Sequence, residues 1–206
     1  MIETRPVPLP RNRILTNSEL PEAELFACAH DGDLMRVGPG WASIAEPNDA
    51  PLRAEAFRAA APDPRLIADR MTAAWVWGAV SRAPRPLHAC VRSVARSSRP
   101  DPSSVVVRES TLAPGDVSTV GGARVTTVER TSVDLLRLHT GWDAAARDAL
   151  SVLLAAPGAA ERVRTRLLAT PRAPFTQHAM ARLDTVPHAD VMPALEALWP
   201  QAALTR

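Results

Sequence analysis

Ile14-Leu15-Thr16-Asn17-Ser18-Glu19-Leu20-Pro21 and the nearby Gly32-Asp33-Leu34-Met35-Arg36-Val37-Gly38-Pro39-Gly40-Trp41 carry the strongest fold signal in the chain. Thr16 stands as an N-cap with Glu19 three residues on, the spacing of a capping box, so a short helix is expected until Pro21 interrupts it. Pro21 suits the first turn of a second helix, on which Ala23, Leu25, Phe26 and Ala29 keep a helical spacing. That helix is expected to end at Asp31-Gly32, where glycine adopts a left-handed cap at no steric cost. Leu34-Met35-Arg36-Val37 and Trp41-Ala42-Ser43-Ile44 are strand-like runs divided by Gly38-Pro39-Gly40 and so form a hairpin. Two short helices followed by a hairpin are the layout of a small winged helix-turn-helix, which points towards DNA and regulation rather than metabolism.

Working outward, residues 1–10 hold three prolines and no apolar period, an extended arm. After Glu46 a linker-like Asn48-Asp49-Ala50-Pro51 precedes an alanine-rich helix over residues 52–61, bounded by prolines. Thr72-Ala73-Ala74-Trp75-Val76-Trp77-Gly78-Ala79 is apolar nearly all round and reads as a buried helix, with Trp75 and Trp77 as core residues. Residues 87–91, 105–109 and 123–127 read as strands, the latter two rich in β-branched residues, with residues 97–104 a polar loop between them and Gly121-Gly122 a hairpin turn. From Thr131 the pattern is helical, broken at Pro157-Gly158, at residues 171–174 and at Pro187. The expected fold class is therefore α+β: a small N-terminal winged helix-turn-helix, a mixed α/β middle region and a helical C-terminal tail, with a boundary between residues 1–47 and 48–206.

The 206 residues carry a formal charge of only +2, so any nucleic-acid site must be a local patch. Every basic residue is arginine, because lysine is absent, and tyrosine is absent too. With the abundance of alanine and proline, this is most simply the codon bias of a GC-rich genome. Cys28 and Cys90 form no Cys-x-x-Cys pair, which gives no support to a zinc ribbon or a redox dithiol and leaves buried, reduced thiols. No apolar run reaches the length of a membrane span and no secretory leader is evident, so a cytoplasmic protein with no membrane partner is expected.

Catalytic signatures are missing. His30, His88, His139, His178 and His188 form no His-Glu-x-x-His, and no carboxylate or cysteine stands beside them at metal-ligand spacing. Gly121-Gly122 lacks a dinucleotide or Walker context, and there is no Gly-x-Ser-x-Gly elbow. The expectation is a protein that is not an enzyme and carries neither metal nor cofactor, although residues dispersed in sequence still assemble into active sites in space.

Taken in order, Leu15-Thr16-x-x-Glu19-Leu20, Gly32-x-Leu34-x-Arg36-x-Gly38-Pro39-Gly40-Trp41, Thr72-Ala73-Ala74-Trp75-x-Trp77-Gly78 and Arg124-Val125-Thr126-Thr127-x-x-Arg130-Thr131-x-x-Asp134-Leu135 resemble the actinobacterial branch of the AbiEi family, antitoxins of type IV toxin-antitoxin systems. The resemblance spans about residues 13 to 140, and its specificity lies in the co-linearity of the motifs. It implies an N-terminal winged helix-turn-helix that represses its own operon. It also implies a remaining region that neutralises a cognate nucleotidyltransferase toxin, functionally and without need of a stable complex. Reading two half-sites takes a homodimer or cooperating monomers. A stand-alone repressor with a ligand-sensing or dimerisation C-terminal domain is the alternative.

The helix matching the recognition position, Pro21 to Asp31, departs from that family: it has no arginine and three carboxylates, which oppose phosphate. DNA contacts are therefore expected from Arg11 and Arg13 on the arm and Arg36 on the hairpin. Arg130, Asp134 and Arg137, on the helix after the last strand, and Arg162 and Arg166, on one face of a later helix, are the candidate surface for antagonism of the toxin. The plainer accounts are a structural i,i+4 salt link and a solvated helix face.

Overall fold

The structure, a computed structural model, describes residues 13–92, 101–170 and 173–187. Within them are seven helices and two sheets: α1 (Glu22–His30), β1 (Leu34–Val37), β2 (Gly40–Ser43), α2 (Ala50–Ala60), β3 (Ile67–Ala68), α3 (Arg70–Val76), β4 (Leu87–Arg92), β5 (Val105–Ser110), β6 (Val117–Val120), β7 (Ala123–Thr126), α4 (Val128–Leu136), α5 (Ala144–Leu153), α6 (Ala159–Leu168) and α7 (Thr176–Thr185). The architecture is mixed α and β. Residues 1–12 of the arm, with Arg11, lie outside the described residues, as do residues 97–100 of the expected polar loop and the chain beyond Pro187.

The N-terminal unit differs from the expected two helices and hairpin. Thr16 and Glu19 do engage: the Thr16 backbone N–H donates to Glu19 Oε2 at 2.8 Å and the Thr16 hydroxyl donates to the same oxygen at 2.6 Å. Yet residues 17–20 form turns and a bend rather than a helix. The Thr16 carbonyl already takes the Glu19 and Leu20 N–H groups, and Pro21 has no N–H with which to continue the ladder. One helix, α1, therefore precedes the β1–β2 hairpin, and it keeps Leu25 as its single buried residue.

β1 and β2 pair antiparallel, and Leu15 bridges to Trp41 on the outer edge of β2. Gly38, at the hairpin tip, has φ +55°, and a Cβ there would lie 2.7 Å from the ring of Trp75. Only glycine allows this turn and this approach together. The hairpin therefore rests on α3.

The second sheet has the order β5-β4-β3-β7-β6, with β3/β7 and β4/β5 parallel and the other pairs antiparallel. β6 and β7 are joined across Gly121 and Gly122, both at positive φ, as a two-residue hairpin demands. The two-residue period of the strands separates the faces. Leu87, Ala89, Val91, Val105, Ala68 and Val125 enter the main core with Leu52 and Phe57 of α2, and Ile14, Val37 and Ala42 of the N-terminal unit belong to the same cluster. On the other face, Ile67, Cys90 and Leu112 make a small cluster. A third cluster joins α4–α7. α3 links the two large ones, with Trp75 and Val76 facing the first and Ala74 the second.

Three helices open on side-chain caps that the sequence reading had not named. Asp49 accepts the Leu52 N–H at 3.0 Å to start α2, Thr127 accepts that of Arg130 to start α4, and Asp143 accepts that of Ala146 at 2.9 Å to start α5. Gly158 precedes α6 at φ 72°. Trp75 is buried and Trp77 sends its indole N–H to the Thr126 carbonyl at 2.8 Å, so both serve the interior. No described helix is long and apolar enough to cross a membrane.

Candidate functional site

The far face of the second sheet, where β7 turns into α4, carries a chain of alternating charges. Arg108 projects from β5 beside Cys90 of β4, on the face opposite the main core. Its Nε donates to Asp69 Oδ2 at 2.5 Å and its Nη2 to Asp134 Oδ2 at 2.9 Å. Asp134 is held one helical turn along by Arg130, whose Nε lies 3.1 Å from Asp134 Oδ1. Arg130 then donates from Nη1 to Asp116 Oδ2 at 2.7 Å and to the Thr111 carbonyl at 2.9 Å, and from Nη2 to Ser110 Oγ at 3.0 Å. Arg166 of α6 reaches Asp116 from the other side. At the opposite end Arg70 Nε lies 3.7 Å from Asp69 Oδ1. The sequence of charges is thus Arg70, Asp69, Arg108, Asp134, Arg130, Asp116, Arg166.

Asp69 and Asp116 are fully buried, so each must be compensated by more than one partner. Burial pushes the Asp69 carboxyl above its ordinary range, against the pull of Arg108 and Arg70. Burial also opposes the charge on Arg108, but Asp69 and Asp134 outweigh it and hold the guanidinium above its usual value. Arg70 occupies the left-handed region at φ 45°, an uncommon place for a side-chain-bearing residue. Asp69 Oδ1, Arg70 Nε and His88 Nδ1 are buried there without a hydrogen-bond partner. His88 is driven down to about 4, first by burial and then by Arg70 and Arg108, so it stands neutral at neutral pH.

Such a chain holds elements together. Its carboxylates are already engaged by arginine, and it ties β5, the loop before β6, α4 and α6 around the end of β3. Cys90 is not poised as a nucleophile: its thiol is buried and pushed up to about 12. Among the described residues no group of three His, Cys, Asp or Glu side chains is placed to hold a metal ion.

The five candidates for toxin antagonism all lie at or beside this chain. Arg130, Asp134 and Arg166 are members of it. Arg162 donates to Glu129 Oε1 at 3.0 Å at the start of α4. Arg137, one turn beyond Asp134 by position, donates to the hydroxyls of Thr170 at 2.7 Å and Thr176 at 3.2 Å, and burial lowers its pKa. The i,i+4 link between Arg130 and Asp134 is present as a structural contact. Asp69, Arg108 and Asp116 were missed. Arg108 does break an otherwise apolar run in β5, but nothing local ties it to Asp69, which is 39 residues away.

The DNA candidates are dispersed. Arg13 is clamped by Glu55, 2.5 Å from its Nη2, and by Glu46 at 3.4 Å, and Glu55 raises its pKa first among causes. Its charge is spent within the molecule. Arg36 lies 4.7 Å from the centroid of Trp41 and donates from Nε to the Gly38 carbonyl at 2.9 Å, a posture that keeps it on the hairpin surface with no carboxylate in contact. Phe26 of α1 meets the same Trp41 ring edge-on at 5.1 Å.

No family model matches the chain, and no curated protein matches it. Among solved structures it is similar to the crystal structure of the RV2827C protein from Mycobacterium tuberculosis, at 20% identity, with 86% of this chain and 69% of that one covered. The TM-score of 0.46 is too low for that likeness to bear on fold or function.

Proposed function

We propose that this protein is an antitoxin of a type IV-like toxin-antitoxin system that neutralises a cognate nucleotidyltransferase toxin and represses its own operon through its N-terminal unit. The supporting observation is where the family-like motifs fall in the fold. Thr16 and Glu19 close the turn that leads into α1, and Gly38 makes the close approach to Trp75. Thr72 accepts the His88 N–H at 2.6 Å, while Arg130 and Asp134 sit in the centre of the charge chain. Motifs that occupy the joints of a structure are those a shared fold needs, so their co-linearity argues for common architecture. The winged helix-turn-helix belongs to this proposal: α1 and the hairpin supply part of it, and Thr16–Leu20 stand where the missing helix would be. The α4–α6 face bearing Arg137 and Arg162 is the surface assigned to the toxin.

The test is a growth assay in a bacterial host, with the gene adjacent to this one induced and this protein supplied or withheld. Rescue is the expected outcome. Failure to rescue a demonstrably toxic neighbour would sink the antitoxin reading and leave a stand-alone repressor.

A further inference from the structure

We infer that the cleft between the hairpin tip and the 81–86 loop is a binding site for the phosphates of a duplex DNA backbone, formed by Arg36, Arg82 and Arg85. The inference takes its partner from the proposal that the N-terminal unit meets DNA; Arg36 was among the residues expected to do so, whereas Arg82, Arg85 and the cleft they share with it were not. The cleft has a volume of about 630 Å³ and a floor that includes Gly38 and Trp75. Arg36, Arg82, Arg85, Asn48 and Ser81 supply its polar lining, and among the described residues no carboxylate lines it. A recess of about 360 Å³ continues past Arg36 and Arg85 to Ser103 and Ser104, again with no carboxylate in its wall. A concavity whose charged lining is all cationic favours anions.

Three features make the site pre-formed. Arg36 is fixed by its bond to the Gly38 carbonyl and by stacking on Trp41, and Gly38 is itself seated on Trp75. Asn48 is oriented from behind: Arg53 donates from Nε to Asn48 Oδ1 at 2.8 Å and from Nη1 to the Trp75 carbonyl at 2.9 Å. A guanidinium only donates, so the Asn48 oxygen must face Arg53, which leaves the amide N–H groups for the cleft. Arg82 and Arg85 are exposed, and among the described residues neither forms an ion pair. By contrast Arg13, Arg108, Arg130, Arg162 and Arg164 are each matched to a carboxylate.

Electrostatics agrees. Arg36 is held below its ordinary pKa first by burial and then by Arg85, with Glu22 as the opposing charge. An incoming phosphate relieves that repulsion. A backbone fits better than a base because the Trp75 ring in the floor is only 2% exposed and offers no stacking platform. Contacts of this class position a duplex without reading its sequence.

Fluorescence anisotropy of a labelled mixed-sequence DNA duplex, titrated with the full chain across a range of salt, tests the site. Arg82→Ala and Arg85→Ala should each weaken binding several-fold and reduce the log–log salt slope by about 0.9, the value of one phosphate contact, and the double variant should lose both. Arg147→Ala, an exposed arginine on α5, should change nothing. Because Arg82 and Arg85 make no ion pair, thermal midpoints of the variants should equal that of the wild type. Salt-dependent duplex binding with an unchanged slope in both variants overturns this site and leaves the DNA reading standing. Absence of any salt-dependent duplex binding overturns both. Tight ATP binding that is lost in Arg82→Ala, with no duplex binding, replaces the backbone by a free nucleotide and overturns the inference as well.

Discussion

Arg130 joins two links of the charge chain. It contacts two buried or nearly buried carboxylates, Asp116 and Asp134, and also satisfies Ser110 and the Thr111 carbonyl. Arg130→Ala strips one of two cationic partners from each carboxylate at once, and urea unfolding should show a loss of about 3 kcal/mol or more. Cys90 offers a second check at this scale. With the thiol fully buried and raised to about 12, a thiol reagent at mildly alkaline pH should modify Cys28, which is half-buried, and spare Cys90 until urea is added. Equal labelling of both thiols in the native chain would contradict the burial of the far sheet face. Arg13 shows what residue-by-residue reading of sequence misses. An arginine on an N-terminal arm looks free for phosphate, but Glu55, 42 residues on, meets it across the fold, and no local pattern encodes that distance.

At the scale of elements, α2 and the β6–β7 turn were legible, because an alanine-rich run between prolines and the Gly121-Gly122 pair act through their immediate neighbours; the cap at Asp49 lay hidden in a segment read as linker. Asp49→Ala should cost about 1 kcal/mol in thermal or chemical unfolding, a loss that Asp49→Ser should largely restore. β5 and β7 were visible because each carries β-branched residues, and β4 because its run from Leu87 to Val91 is long enough to show a period. β3 was not: two residues have no period, and Ile67–Ala68 is a strand only because β4 and β7 flank it. The turn over residues 17–20 failed the other way. Its capping pair is real, but a helix needs several backbone donors beyond the first turn, and Pro21 removes one at the decisive position. The charge chain was legible at one link, Arg130 to Asp134, because that link lies within a single helix. Its other members come from β5, the loop before β6 and α6, and only tertiary pairing brings them together.

Across the whole molecule, pH should act through His88. The folded state holds it down to about 4, whereas the unfolded chain protonates it near its ordinary 6.5. Between those values the unfolded state binds the proton that the folded state refuses, so stability is full above about 6.5 and declines as pH falls towards 4. Chemical denaturation at several pH values in that window should show the decline in the wild type and a flatter profile in His88→Gln. Asp69, raised by burial, works in the opposite sense and is common to both chains, so the comparison isolates the histidine. An identical profile in the two would mean that the far face of the sheet is open to water around His88.

Ile14, Val37 and Ala42 share their apolar interior with Leu52, Phe57 and Trp75, and the hairpin tip depends on the ring beneath it. An N-terminal segment built into the body in this way is a poor cassette. Chimeras that exchange it between related chains must carry α2 and the Trp75 surface along with it, or leave mismatched volumes at the seam. The chemistry displayed around the hairpin tip is therefore free to diverge by point substitution at positions such as Arg36 on the hairpin and Arg82 on the facing loop, while recombination at the loop after β2 is penalised by packing.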